Sequence, residues 1–341
     1  MPHAVTMGLD IAKNVFHVHG IDETGTPVVV RKLSRSQLVP YFRDASPCLI
    51  GIEACGAAHH WVRTLSALGH TVKIMPAGYV KAYVKTNKND SNDAEAICEA
   101  VGRPTMRFVP VKNEQQQAVL ILHKTRDLLT RQRTMVTNAI RGHLAEFGLV
   151  APPGPAGVSR LISFINASAR DNVPVVARAA LRILVEQVRS LSTRIKSCEE
   201  RILRWHDKNP QSKRLATIPG VGPLTASALV ASIGDASLFR SGRQLAAFIG
   251  LVPRQRSTGG RPRLEGISKR GNAYLRTLLF MGARSMFAAR RHARSRLGRW
   301  LTSLRSRKPG RVAAIALANK MARIAWALLR HNEDFRHQPA A

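Results

Sequence analysis

A mixed α/β sheet domain, then long helices, then a basic and mainly helical C-terminal region is the fold class that this sequence predicts. Three observations carry it. Short apolar runs alternate with helical spacing in the first third, a heptad seam runs through the middle, and 21 Lys+Arg against three acids (Glu265, Glu333 and Asp334) crowd the stretch from Leu251 to the end. With 341 residues, 45% of them hydrophobic, there is material for two or three domains with real cores, and a disordered chain is excluded. The formal charge is +32, from 53 Lys+Arg and 21 Asp+Glu. Such a chain repels itself and calls for a polyanion, nucleic acid first and an anionic membrane surface second. More than half of the excess, 18 charges, lies from Leu251 onward, whereas most residues able to bind a metal lie in the first third. That split argues for a chemistry domain and a separate polyanion-binding domain.

Residues 6–21 read as one buried strand with Asp10 in its middle. Gly25-Thr26-Pro27 turns the chain into Val28-Val29-Val30, an antiparallel partner. Ser34 to Arg43 has the makings of a short helix that Pro40 bends or ends. Cys48 to Glu53 is a second buried strand ending in an acid, Ala57 to Leu68 a helix, and Thr71 to Met75 a third strand closed by Pro76-Ala77-Gly78. Strands alternating with helices after an opening hairpin give a mixed sheet with helices on its faces. Lys85 to Ile97 starts polar and turns apolar at Ala94 and Ile97, the mark of a helix N-terminus.

From Asn113 to Leu149 a long helix carries Leu122, Leu129 and Val136 seven apart, and Pro152-Pro153-Gly154-Pro155 breaks it. A second helix spaces Leu181, Leu184, Val188, Leu191, Ile195, Cys198, Ile202 and Trp205 three and four apart, a seam of more than three heptads. The two helices pack on each other or across a dimer; both arrangements fit. Further on, Gly220-Val221-Gly222 before an apolar helix resembles a helix-hairpin-helix element, whose backbone N–H groups hold a phosphate without reading sequence. A plain turn between packed helices competes with that reading. Ile267 to Asn272, with Lys269 and Arg270, caps a helix through Leu275 and Leu279. A basic run from Arg290 to Arg311 and an amphipathic helix follow. Cys48, Cys55, Cys98 and Cys198 form no C-x-x-C pair and read as free thiols in a reducing cytosol. No signal pattern opens the chain, and the best apolar run, Val312 to Leu329, is interrupted by Asn319, Lys320 and Arg323. A cytoplasmic protein with no membrane partner is expected.

Two places carry chemistry. Asp10 matters if other acids converge on it, and Glu53, Asp90 and Asp93 are the candidates. Asp90 and Asp93 share one face of a first helical turn, although a capping box with Asp90 as N-cap and Asp93 near N3 uses the same residues structurally. Four carboxylates brought together need a cation, which points to metal-dependent phosphoryl transfer. Lys85 and Lys88 beside them fit an approaching phosphate or a solvated loop. The second place is Pro253 to Arg263, a Gly-rich loop holding Ser257 and Thr258 among Arg254, Arg256, Arg261 and Arg263. A hydroxyl there suits an activated nucleophile, with guanidiniums stabilising charge on a pentavalent phosphate. An ordinary turn has the same composition.

These stretches resemble a known family. Gly8-Leu9-Asp10-Ile11-Ala12-Lys13, Ile52-Glu53-Ala54-Cys55-Gly56, Asn87-Lys88-Asn89-Asp90-Ser91-Asn92-Asp93-Ala94, Ile218-Pro219-Gly220-Val221-Gly222 and Gly250-Leu251-Val252-Pro253-Arg254-Gln255 are similar, in order and over nearly the whole chain, to the DEDD transposases of bridge-RNA insertion sequences, the IS one-ten family with its eleven-eleven branch. The resemblance implies a RuvC-like (RNase H-like) domain over 1–112, a coiled-coil linker for dimerisation over 113–207, and a mainly α C-terminal transposase domain over 208–341. It implies Asp10, Glu53, Asp90 and Asp93 as Mg²⁺ ligands and a serine nucleophile that links transiently to DNA. Counting back from Ser268-Lys269 selects Ser257, and counting forward from Pro253-Arg254 selects Thr258; the serine is the expected residue. Gly220, Gly222, Arg254, Arg256, Arg261, Arg263, Lys269 and Arg270 are the expected nucleic-acid contacts. The implied partners are donor and target double-stranded DNA, a non-coding guide (bridge) RNA that reads sequence while the protein grips backbone, and further copies of the chain as a dimer or tetramer, with acids of one protomer meeting the serine of another. The location implied is a bacterial cytoplasm, at the nucleoid. A hydrolytic nuclease of the Holliday-junction type, using the same four acids with water, is the alternative.

Overall fold

The computed structural model describes residues 3–85, 89–166, 173–288 and 295–336. Asn87 and Lys88 of the acidic motif, and Arg290, Arg291 and Arg294 of the basic run, lie outside the described residues. The chain divides into two compact units, Met1–Glu114 and Gln115–Ala341.

The first unit is built on β1 (Thr6–Ile11), β2 (Val15–Ile21), β3 (Pro27–Ser34), α1 (Arg35–Asp44), β4 (Leu49–Glu53), α2 (Ala58–Ser66), β5 (Thr71–Met75), the single turn α3 (Ala77–Val80) and α4 (Asp90–Val101). Residues 6–21 are two strands, not one. The polar Lys13-Asn14 pair turns the chain, and the Ala12 amide bonds the Val15 carbonyl across it. The sheet order is β3-β2-β1-β4-β5. The first three strands are antiparallel, while β4 joins β1 and β5 joins β4 in parallel. Pro40 does not end α1, which runs four residues past it from a capping box made by Ser34 and Gln37. This mixed α/β unit fits a RuvC-like domain.

Strand alternation decides what lies on each face. Met7 and Leu9 point into a core with Phe16, Val18, Ile50 and Ile52, covered by Leu38 and Phe42 of α1 and Trp61 and Leu65 of α2. The other face carries Gly8 and Gly51, and α4 lies across it. A Cβ on Gly8 would overlap the Ala94 carbonyl oxygen and the Cys98 amide, and one on Gly51 would stand 2.8 Å from Val101. The missing side chains therefore let a helix backbone settle directly on the strands.

The second unit begins with α5 (Glu114–Ala145), α6 (Pro155–Asn166) and α7 (Val175–Lys208). Val136, Ile140 and Leu144 of α5 share an apolar cluster with Leu161 and Ile165 of α6 and Leu181, Val185, Val188 and Leu191 of α7. Arg126 of α5 pairs with Glu199 of α7 at 2.6 Å, so the two long helices meet within one chain. Then follow α8 (Pro210–Ala216), α9 (Pro223–Ile233), α10 (Gly242–Ile249), β6 (Pro253–Gln255), β7 (Leu264–Ile267), α11 (Ala273–Ala288), α12 (Arg296–Arg305) and α13 (Gly310–His331). Every residue of α9 from Thr225 to Ile233 is buried, which makes it the axis of this core. Length and composition would let α13 cross a membrane, contrary to the expectation from its interrupted apolar run. Its Ala314, Leu317, Ala318, Met321, Ala322 and Ala325 are instead completely buried in the same core as α9 and α11. Buried His123 of α5 joins Tyr274 of α11 at 3.0 Å and Ser227 of α9 at 3.1 Å, tying the long helix to the C-terminal ones.

Candidate active site

Asp10 and Glu53 stand at the C-terminal ends of neighbouring parallel strands. The register pairs Leu9 with Ile52, so the next residue on each strand is an acid. Carboxyl ends of parallel strands are where open α/β sheets place their ligands. Opposite Asp10, on β2, the antiparallel register places His17 on the same face.

Asp90 and Asp93 open α4, and the structure corrects their structural reading. The N-cap is Asn89, whose side-chain oxygen accepts from the Asn92 amide at 2.8 Å. Asp90 is the first helical residue and Asp93 the fourth, so neither serves as cap. Both carboxylates are left for another use. Because Gly8 admits the backbone of α4, this first turn overhangs Asp10 electrostatically: burial first, and then the charges of Asp90 and Asp93, raise the Asp10 carboxyl above its ordinary value. His17 and a hydrogen bond from the Ile11 backbone pull it the other way.

The charges of Asp90 and Asp93 thus bear on Asp10 at the end of β1. Hard oxygen donors of this kind suit a divalent cation such as Mg²⁺. Among the described residues, however, no three His, Cys, Asp or Glu side chains stand close enough together to share one ion. The donor set fits the cation in chemistry and sign, and the side chains are spread more widely than a closed ligand shell.

His17 is the residue that reading for carboxylates passed over. Its Nδ1 is buried without a hydrogen-bond partner and lies 3.7 Å from an Asp90 oxygen. The alternation of His17 and His19 in β2 was the available signal, since period two puts both on the face of Asp10. Lys85 is engaged elsewhere, bridging Glu95 at 3.0 Å and Glu99 at 3.2 Å.

The serine segment is a hairpin rather than a plain loop. β6 and β7 pair antiparallel, and the Arg256 amide bonds the Arg263 carbonyl at 2.9 Å. Thr258 and Arg261 bridge around Gly259 and Gly260, whose φ values of 56° and 75° make the primed turn that suits twisted strands. Ser257 is exposed just before this turn, and its hydroxyl accepts from the Gln255 side-chain amide at 2.7 Å. Arg254, Arg256, Arg261 and Arg263 are all exposed, and Arg256 reaches Glu265 at 3.7 Å. The hairpin's foot is fixed, since Ser268 and Lys269 donate to the Val252 and Gly250 carbonyls and Arg276 holds those of Ile249 and Arg270. Lys269 takes a left-handed backbone (φ 54°) there, with its side chain and that of Arg270 exposed.

Gly220 and Gly222 have different reasons to be glycine. A Cβ on Gly220 would collide with Met321 and come within 2.8 Å of the Gly282 carbonyl, so interior packing alone already requires glycine there. Gly222 is exposed at the N-cap of α9, with open space beside it. The Asp10 acids and the Ser257 hairpin belong to different compact units.

Comparison with known proteins gives a consistent result. Residues 212–297 match the sequence profile described as "Transposase IS116/IS110/IS902 family", and residues 7–148 match a DEDD transposase profile of IS110. A Pseudomonas aeruginosa protein described as "Probable family 20 transposase" is 47% identical over 97% of this chain and 98% of its own length. The transposase for insertion sequence element IS1111A of Coxiella burnetii is 42% identical over 97% of this chain and 91% of its own. That for IS1328 of Yersinia enterocolitica is 40% identical over 98% and 99%.

Proposed function

The chain belongs to the IS116/IS110/IS902 family of transposases, and from that premise we propose that it cuts and rejoins DNA with the acids around Asp10 and the hydroxyl of Ser257. The observation that carries this reading is the placing of Asp10 and Glu53 at the ends of neighbouring parallel strands, with the charges of Asp90 and Asp93 reaching Asp10 and the N-cap duty taken by Asn89. Carboxylates held near one another in this way are what a phosphoryl-transfer site stores. Asp10, Glu53, Asp90 and Asp93 would hold Mg²⁺, which when bound neutralises charge on the scissile phosphate.

The chain's own residues do the rest. Gly8 sets the height of α4 over β1 and so the positions of Asp90 and Asp93. Ser257 Oγ forms a bond to phosphorus as one phosphate ester bond breaks, and the hydroxyl proton ends on the departing sugar oxygen. One ester replaces another, so the reverse step can rejoin a strand without outside energy. The exposed Arg254, Arg256, Arg261 and Arg263 grip backbone phosphates beside the serine, with Lys269, Arg270 and the Gly222 end of α9 extending the contact.

Guidance by a non-coding RNA belongs to the same proposal: a strongly basic surface grips backbone, and a paired guide supplies the sequence reading. So does self-association through the helical region. Ile121, Leu128 and Met135 are 62%, 48% and 65% exposed at seven-residue intervals along α5, a second apolar seam beside the one used within the chain. The division into a RuvC-like part (1–112), a coiled-coil part (113–207) and a transposase part (208–341), working at a bacterial nucleoid, completes the reading.

The test is a covalent adduct. Protein purified with its RNA is mixed with DNA from the ends of its own element and run on a denaturing gel. Wild type is expected to show a protein–DNA band that Ser257→Ala and Asp10→Asn both lose. Cleavage that needs Asp10 but leaves no adduct and ignores Ser257→Ala would make the enzyme a hydrolytic nuclease.

A further inference from the structure

A cavity of about 1280 Å³ opens in the second unit, with Pro253, Glu265 and Ile267 at the foot of the serine hairpin forming one wall. Trp300 of α12 and Trp326 of α13 line it, over an apolar floor that includes Leu251, Ile315 and Ile324. Trp326 is fixed in place, because its indole N–H donates to the Ala236 and Phe239 carbonyls at 3.2 and 3.0 Å. Lys320 lies 4.2 Å from the centre of the Trp300 ring.

The charge of the lining is one-sided. Arg243, Arg311, Lys320 and Arg323 reach the cavity, against one carboxylate, Glu265, which already faces Arg256. Lys320 is held below the ordinary lysine value, by burial first and then by Arg296 and Arg323. One cation lies on an indole and three exposed guanidiniums line the same half-enclosed space, an arrangement that suits an anion with a planar part.

Three ligand chemistries can be compared. A bare anion would satisfy the cations and leave the indoles and aliphatic floor in contact with water. An apolar helix would cover the floor but leave the guanidiniums without a partner and bury Lys320 further at a desolvation cost. A nucleotide has both parts, a planar base for the aromatic walls and a phosphate for the guanidiniums. The volume exceeds the roughly 300–1000 Å³ of ordinary small-molecule pockets, which suits a strand passing through better than one free nucleotide.

We propose that this cavity binds an unpaired stretch of nucleic acid, its bases against Trp300 and Trp326 and its phosphates on Arg243, Arg311 and Arg323. The proposal rests on the reading of the chain as a DNA-cutting transposase. It adds a site for unstacked nucleotides beside the foot of the hairpin, separate from the exposed arginines of its strands. A strand lodged there is gripped at the base of the arm that carries Ser257.

The full-length protein is titrated with three labelled probes of one sequence: a paired DNA duplex, the same duplex with a short internal bulge, and the bulged duplex as RNA. A 2-aminopurine in each bulge reports stacking. Unpaired bases can stack on the aromatic walls and paired ones cannot, so a bulged probe is expected to bind about 10-fold tighter or more than the paired one, with its 2-aminopurine quenched. Preference for the DNA or the RNA bulge identifies the source of the strand. Arg243→Ala/Arg311→Ala, and separately Trp300→Leu, should erase the preference, whereas Arg182→Ala/Arg189→Ala on α7, with equal charge loss, should keep it. Equal binding of paired and bulged probes by wild type, or equal losses in both arginine pairs, overturns the proposal. So does a free mononucleotide that displaces the bulged probe at its own micromolar concentration. Adduct formation scored on the same variants separates the two levels: an adduct without bulge preference removes the cavity site and leaves the transposase reading intact, and bulge preference without an adduct does the reverse.

Discussion

The two compact units divide the work of charge in opposite ways. Residues 1–114 hold 13 Lys+Arg and 10 Asp+Glu, close to balance at +3, and residues 115–341 hold 40 against 11, or +29 of the total +32. The balanced unit sets Asp10 and Glu53 at the ends of β1 and β4, where the charges of Asp90 and Asp93, on a helix floored by glycine, reach Asp10. The basic unit disperses its cations over exposed surface and carries its hydroxyl on a two-stranded arm. The acids of the first are placed by backbone packing, and the hairpin of the second meets its surroundings through exposed charge. Variants that break packing and variants that remove charge should therefore fail in different ways.

The largest effects are expected from neutralising the reactive groups. Asp10→Asn should lower strand joining by about 1000-fold or more while leaving thermal stability equal or slightly raised, because an amide ends the repulsion by Asp90 and Asp93 that burial intensifies. Ser257→Ala should abolish joining to a similar extent at unchanged Tm, its side chain being exposed on the arm. A joining assay beside a melt separates these outcomes from misfolding. A loss of several degrees in Asp10→Asn would show that the acid supports the fold rather than the chemistry.

Gly8→Val comes next, and it should act on stability. Its side chain must occupy the space of the Ala94 carbonyl and the Cys98 amide, so α4 has to lift. Overpacking of this kind costs about 1–3 kcal/mol or more and would carry Asp90 and Asp93 away from Asp10. Gly222→Ala in the basic unit, with open space around it, should change Tm by no more than a degree or so. Equal melting losses in the two would remove the contrast between a packing-defined and a charge-defined unit.

What the sequence revealed follows the same contrast. Asp10 and Glu53 were legible because an apolar run that carries or ends in an acid has few other uses, and the start of α4 because polar residues give way to Ala94 and Ile97. The choice of Asn89 over Asp90 as cap was not legible, since both residue types cap well and the neighbouring sheet decides between them. The part Gly8 plays depends on a helix some eighty residues away. The serine hairpin was hidden because β6 and β7 are short, largely exposed and lack the alternating apolar face that marks a strand. Pro155 read as a break and proved to be the first residue of α6, where a missing N–H costs nothing. His17 was visible as a residue, but its task appears only when the register sets it across from Asp10.

Acid should find a weak point in the basic unit before titrating its surface. His123 is buried between Tyr274 and Ser227, and burial, aided by Arg126, lowers its pKa from 6.5 to about 4. The folded chain therefore keeps this imidazole neutral where the unfolded chain would protonate it. Stability is complete above pH 6.5 and is lost as pH falls from there towards 4, by at most about 3 kcal/mol. Urea melts of wild type across that range, compared with His123→Gln, should show the slope in the first and a flatter profile in the second. Identical slopes would place the acid sensitivity elsewhere.

The smallest effect tests dispersal itself. If the arm's guanidiniums act as separate phosphate contacts, removing one should weaken duplex binding modestly and reduce the slope of log K against log salt by about 1. Arg254→Ala and Arg263→Ala should each do so, and together by about 2, since exposed charges at separate phosphates act nearly additively. Lys85→Ala in the first unit should leave the slope unchanged, because that ammonium is bound between Glu95 and Glu99 and has no phosphate to release counterions from. Salt titrations of wild type and these variants decide the matter. A slope that falls by the same amount in Lys85→Ala would mean that cations of the balanced unit also grip backbone phosphates, and that the division of labour between the units is less sharp than their net charges suggest.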